Sequence, residues 1–336
     1  MTVMKRVFMV AVMLALLTGT AWAGPVVLKF NTFEPPKGFV LSKILMPFIE
    51  KVNKEGEGII KIDVFAGGAL GRNPLKQLKL VKDGVVDIAW IIQSYTPSVF
   101  VNDSVLEVPF LAENSMEVSL AFWQMYKKGM LVGYDDIHPL FIGGAQQYNI
   151  HTSYPVKGPA DLKGVKIRAI GKMQHYFAEA LGFTPIGMPV TKIAESISRG
   201  LIKGTLNEWN GARTFKIDGV TKYHYMVPLG TVGFLVAMNK AKYEGLSAKA
   251  KAILDKHFGL PVVRYWGEVM DEDLGKYHQK ILKDPKHHVY TPTGAQMEEW
   301  KATLKPAVDS WLRDNPKGAQ LLKAFKDELA KVRAGK

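Results

Sequence analysis

The run Asp161-Leu162-Lys163-Gly164-Val165-Lys166-Ile167-Arg168 places an arginine at a point where the chain is about to turn. Val165, Ile167 and Ala169 alternate with Lys166, Arg168 and Ile170, the two-residue period of a β-strand. The strand then meets Gly171 and a segment with helical periodicity. A guanidinium is always charged, and its planar fork matches a carboxylate. In open α/β sheets ligands bind beyond the carboxyl ends of the strands, so Arg168 is a candidate carboxylate receptor. By strand pattern alone, a surface arginine in an ordinary salt bridge fits equally well.

The usual catalytic signatures are missing. There is no phosphate-binding loop and no G-x-G-x-x-G; the stretch GGALG at 67–71 only approximates one. There is no G-x-S-x-G elbow, and without cysteine there is no thiol nucleophile. The eight histidines form no H-E-x-x-H pair. His287 and His288 are adjacent and so diverge on any regular element, which disfavours a shared metal. An enzyme, such as a lyase or hydrolase, would have to rely on Glu195, Glu208 or a histidine, without a paired-carboxylate or nucleophile motif. A binding protein fits this inventory better, and no cofactor is expected.

The elements that must position Arg168 follow from periodicity. Val27, Leu28 and Phe30 mark a first strand, followed by a turn rich in proline and glycine. Leu41, Ile44, Leu45, Phe48, Ile49 and Val52 give a helix that Pro47 should kink. Ile60, Ile62 and Val64 make a second strand, Asn73-Pro74 starts a helix, and GVVDIAWII is a buried third strand. Strand-helix alternation predicts parallel strands with covering helices, the α/β class. The pattern returns in HPLFIGGAQ, VKIRAI, TPIGM and GTLNEW, and TVGFLVAMN is one more strand. Two α/β units are therefore expected, with a ligand cleft between them. Trp300, Leu304, Val308 and Trp311, then Leu321, Phe325 and Leu329, mark two closing helices whose apolar stripes pack.

The chain has 336 residues and a formal net charge of +13. Its basic residues are scattered, which suits a solvated surface attractive to anionic solutes rather than a nucleic-acid site. Residues 1–23 carry Lys5 and Arg6, an apolar run too short to span comfortably, and Ala21-Trp22-Ala23. This is the pattern of a cleaved secretory signal peptide. Without cysteine there is neither a lipid anchor nor a disulfide.

The string from Ala160 to Asn210, with the earlier IDVFAGGALGRNPLKQLKLVKDGVVDIAW, resembles the periplasmic solute-binding proteins of tripartite ATP-independent (TRAP) transporters. The likeness spans residues 24–336 and is carried most specifically by D-L-K-G-x-K-x-R. It implies a periplasmic, monomeric receptor that takes an organic acid and delivers it to membrane permease subunits. It implies two lobes, 24–146 with 235–275 and 147–234 with 276–336, and a long hinge-crossing helix within roughly 245–280.

By this resemblance Arg168 matches the arginine that pairs with the substrate carboxylate. Asn207 falls on the asparagine of V-D-G-Q-E-N, and Asn31 lies in a loop facing the cleft. Where sugar-acid members have a carboxylate after the third strand, this chain has Ile92 and Gln93, with Tyr95 in the same loop. Where they place a second arginine, it has Asn149. Tyr148 and Trp209 add aromatic area, Trp209 lining either the pocket or the core. One strong cation among less polar groups suggests an apolar or aromatic monocarboxylate. A four-carbon dicarboxylate would bury a second charge unpaired.

Overall fold

The computed structural model describes residues 24–335; the signal peptide expected over 1–23 lies outside them. Among the described residues eleven strands form two sheets. The first holds β1 (Val26–Asn31), β2 (Ile60–Phe65), β3 (Ile88–Ile92) and β4 (Ile137–Gly144), ordered β2-β1-β3-β10-β4 with the later β10 (Gly233–Asn239). The second holds β5 (Asn149–Thr152), β6 (Lys166–Arg168), β7 (Thr184–Ile186), β8 (Gly204–Asn207), β9 (Tyr223–Tyr225) and β11 (His288–Tyr290), ordered β11-β9-β5-β8-β6-β7. Helices cover both, giving the two-lobed α/β fold. Among the described residues no helix is long and apolar enough to cross a membrane.

The sheets are mixed rather than all parallel. β10 runs antiparallel to β3 and β4, and β5 runs antiparallel to β8 and β9. Both are strands that arrive directly from the other lobe. Such a strand enters its new sheet at the cleft and runs away from it, opposite to strands whose carboxyl ends finish there.

Pro47 was expected to kink one helix running from Leu41, but the helix changes type just before it. Pro47 sits at the first turn of helix Met46–Glu55, where its missing N–H is harmless, and a π turn, Val40–Leu45, precedes it. Asn73 accepts the N–H of Leu75 across Pro74.

The helix Leu260–Lys283 bridges the lobes. Asp271 accepts the N–H groups of Ser115 and Met116 (2.8 and 3.0 Å) at the start of helix Ser115–Lys127 in the first lobe. Two residues on, Asp273 takes a bidentate contact from Arg213 of the second lobe (3.0 and 2.7 Å). Gly267 lets the helices meet: a Cβ there would lie 2.5 Å from the Met116 Cα. The last helix, Gly318–Arg333, packs its stripe on Ser115–Lys127, where Arg333 bonds Glu117 (2.8 Å). The chain thus returns to the first lobe at its end, so 276–336 does not stay wholly with the second.

Candidate functional site

β6 lies between β7 and β8, so its end is an interior position, and Arg168 is 1% exposed. Its Nε donates to the Met188 carbonyl (3.2 Å), Nη1 to the Leu206 carbonyl (3.3 Å) and Nη2 to the Tyr95 hydroxyl (3.1 Å). A guanidinium has five N–H donors, so two remain free. No carboxylate oxygen lies within 4.0 Å of it among the described residues. A buried cation with no counter-charge is an incomplete arrangement that an anion would complete.

Arg168 borders a narrow cavity between the sheets. The first lobe gives Phe33, Trp90, Ile92, Tyr95 and Phe234 to its wall; the second gives Val190, Asn207, Glu208 and Phe215; Met270 comes from the bridging helix. Trp90 and Ile92 share one face of β3 by strand alternation. Phe234 is paired opposite Ile92, and its ring stacks on Trp90 at 5.0 Å. The lobes touch over the cavity: Phe33 stacks on Phe215 at 6.2 Å. The Tyr95 oxygen accepts from the Val190 N–H (2.8 Å) as well as from Arg168. With both lone pairs used, its own O–H proton remains to be donated.

Of the eight residues singled out from the sequence, Arg168, Asn207, Tyr95 and Tyr148 line this cavity. Four do not. Asn31 is buried and spends its amide on the 70–77 loop, accepting from the Leu70 N–H (3.1 Å) and donating to Gln77 (2.8 Å) and the Gly71 carbonyl (3.1 Å). Gln93 turns into the first lobe toward Asp103 and Tyr134. Asn149 donates to the carbonyl of Gln147 (2.9 Å). Trp209 is a core residue, packed with Tyr277 and Ile281 and edge-on to His151 at 4.7 Å. Sequence reasoning did not single out Phe33, Glu34, Trp90, Phe215, Phe234 or Met270. For Glu34 a signal existed, its place in the loop after β1.

Behind Asn207 runs a file of histidines. His151 Nε2 meets the Asn207 carbonyl (3.1 Å), and the two Nδ1 atoms of His151 and His224 meet at 2.8 Å. His224 Nε2 then meets His287 Nδ1 at 2.8 Å. A carbonyl only accepts, so His151 carries its proton on Nε2, and His224 and His287 carry theirs on Nδ1. Burial holds His151 neutral down to about 4 and pushes His224 well below its ordinary value. Adjacent His288 turns aside and stacks on Tyr223 at 4.9 Å.

This architecture, two α/β lobes closed over a cavity with a buried cation, is that of an extracytoplasmic solute receptor. Residues 30–314 match the family described as bacterial extracellular solute-binding protein, family 7, and the chain belongs to that family of binding receptors rather than enzymes. A TRAP solute-binding protein from an unidentified marine microbe, specific for aromatic acid ligands and solved with metahydroxyphenylacetate, is 32% identical. Its TM-score is 0.85, covering 91% of this chain and 99% of that one. A TRAP solute-binding protein from Rhodoferax ferrireducens T118, solved with copurified benzoate, is 30% identical with a TM-score of 0.84, covering 91% and 98%. A C4-dicarboxylate-binding periplasmic protein of Rhodobacter capsulatus is 23% identical over 299 residues, 86% of this chain and 87% of that one.

Proposed function

We propose that this receptor captures an aromatic monocarboxylate from the periplasm and hands it to a TRAP-type membrane permease. The observation that carries the reading is Arg168: buried, without a carboxylate partner among the described residues, on the wall of an aromatic-lined cavity. The ligand carboxylate takes the two free guanidinium protons and the Tyr95 O–H, and the ring lies among Phe33, Trp90, Phe215 and Phe234. That relatives 30–32% identical bind aromatic acids supports the same ligand class. A four-carbon diacid is disfavoured because, among the described residues, no second cation lines the cavity and nearby Arg213 is committed to Asp273.

Titration calorimetry with benzoate and succinate, on the native chain and on Arg168→Ala, tests this. Benzoate should bind and succinate should not. Removing the guanidinium leaves the bound charge unpaired and should weaken benzoate by about 2–5 kcal/mol. A loss smaller than about tenfold, ~1.4 kcal/mol, or a preference for succinate, would refute the assignment. Delivery is tested by uptake into vesicles holding the permease subunits, which should require the receptor.

A further inference from the structure

Two carboxyl groups reach the same cavity, one from each lobe: Glu34 from the loop after β1 and Glu208 from the end of β8. They are 4% and 5% exposed. Neither lies within 4.0 Å of a lysine, arginine or histidine nitrogen among the described residues. What holds them is backbone. Glu34 Oε2 accepts the Leu41 N–H (2.7 Å), and both oxygens of Glu208 share the Gly211 N–H (2.7 and 2.8 Å). A carboxylate has about four acceptor sites, so each group keeps unused capacity. They are near enough for the Glu208 charge to bear on Glu34. Burial lifts both to about 7, Glu208 against the pull of the Gly211 and Asn210 N–H groups.

Neither carboxyl is paired with Arg168. The arginine's partners are Tyr95, Met188 and Leu206, and the two glutamates share none of them. The cavity therefore holds one cation, aromatic walls and two carboxyl groups that the cation does not pair. A second ligand carboxylate is repelled there, an apolar ring edge leaves buried polar oxygens unsatisfied, and an ether oxygen meets mainly acceptors. We infer that Glu34 and Glu208 select aromatic acids carrying a hydrogen-bond-donating substituent, a hydroxyl or an amino group, on the ring. This rests on the reading of the site as an aromatic monocarboxylate receptor.

The test is calorimetry at pH 7.5 with benzoate and its 3- and 4-hydroxy, amino, methyl and methoxy derivatives. It is run on the native chain, Glu34→Gln and Glu208→Gln, with melting temperatures recorded. On the native chain the best hydroxy or amino acid should bind at least tenfold more tightly than its methyl counterpart. In each glutamine variant the backbone N–H retains the amide oxygen and turns the NH2 toward the ligand. The donor preference should then fall below threefold, with methoxy acids gaining. A methyl acid binding the native chain as well as the hydroxy and amino acids overturns the inference, as does a donor preference that survives in both variants. If a variant does not fold, the native series decides alone. If benzoate and every derivative fail to bind, the monocarboxylate reading falls first and this inference with it; if benzoate binds without donor preference, only this inference falls.

Discussion

Arg168 is held by three oxygens from three directions, the Met188 and Leu206 carbonyls and the Tyr95 hydroxyl. That fixes the plane of the fork before any anion arrives, so little side-chain entropy is left to lose on binding. Lysine offers a point charge and no fork, so Arg168→Lys should keep part of the attraction and lose the geometry. The expected result in calorimetry is benzoate affinity between those of the native chain and Arg168→Ala. Tyr95 joins the lobes through one oxygen atom, and Tyr95→Phe removes that bridge together with the O–H proposed to reach the ligand. One to two hydrogen bonds at about 1 kcal/mol each correspond to a loss of roughly tenfold in affinity. Unchanged binding in this variant would show that the hydroxyl does not touch the solute.

At the scale of elements, the bridging helix Leu260–Lys283 decides how the lobes sit. Its two aspartates, Asp271 and Asp273, hold opposite lobes, and Gly267 sets the distance to helix Ser115–Lys127. Gly267→Ala would force a Cβ against the Met116 backbone, where no flexible side-chain end can give way. The expected cost is about 1–3 kcal/mol of overpacking, read as a melting temperature lower by several degrees. A second junction is Glu107, whose carboxyl accepts from Ser94 and faces the start of helix Gly171–Leu181. Gly171 there has φ +71°, and a Cβ would approach Glu107 to 2.8 Å. Only glycine combines that backbone with that contact at low cost.

For the whole molecule, buried ionisable groups set opposing pH limits. Burial raises Glu34, Glu208 and Glu107 to about 7, 7 and 8 from 4.5. A carboxyl whose folded pKa is raised contributes most below its unfolded value. That contribution is lost as pH rises through the folded pKa, here between about 4.5 and 8. His151, held to about 4 by burial, behaves in the opposite way: its contribution is full above 6.5 and declines as pH falls toward 4. Melting temperature measured from pH 4 to 9 should therefore peak in the weakly acidic range. Glu107→Gln should flatten the alkaline side, and an unaltered alkaline slope would remove Glu107 from this account. The net charge of +13 acts at longer range. Association rates for an anionic acid, measured by stopped flow, should fall as salt is raised from 10 to 500 mM, since screening shortens the reach of the field.

Much of this was legible in the chain. Period-two and helical patterns, with Asn73-Pro74 and Pro47 as punctuation, marked most elements because each depends on neighbours a few residues away. The type and position of Arg168 made it a candidate carboxylate receptor, with a surface salt bridge fitting as well; the resemblance to TRAP solute-binding proteins, not the local pattern, favoured the first. The sequence could not say that Asn31 and Gln93 spend their amides inside the first lobe, or that Trp209 packs against Tyr277. Nor could it show that Phe33, Trp90, Phe215 and Phe234 close one wall, or that His151, His224 and His287 stand in file. Those facts depend on residues tens to hundreds of positions apart being brought together by β5 and β10 crossing between lobes and by one helix tying both. Which polar groups are satisfied by protein, and which are left for a ligand, is decided by that packing alone.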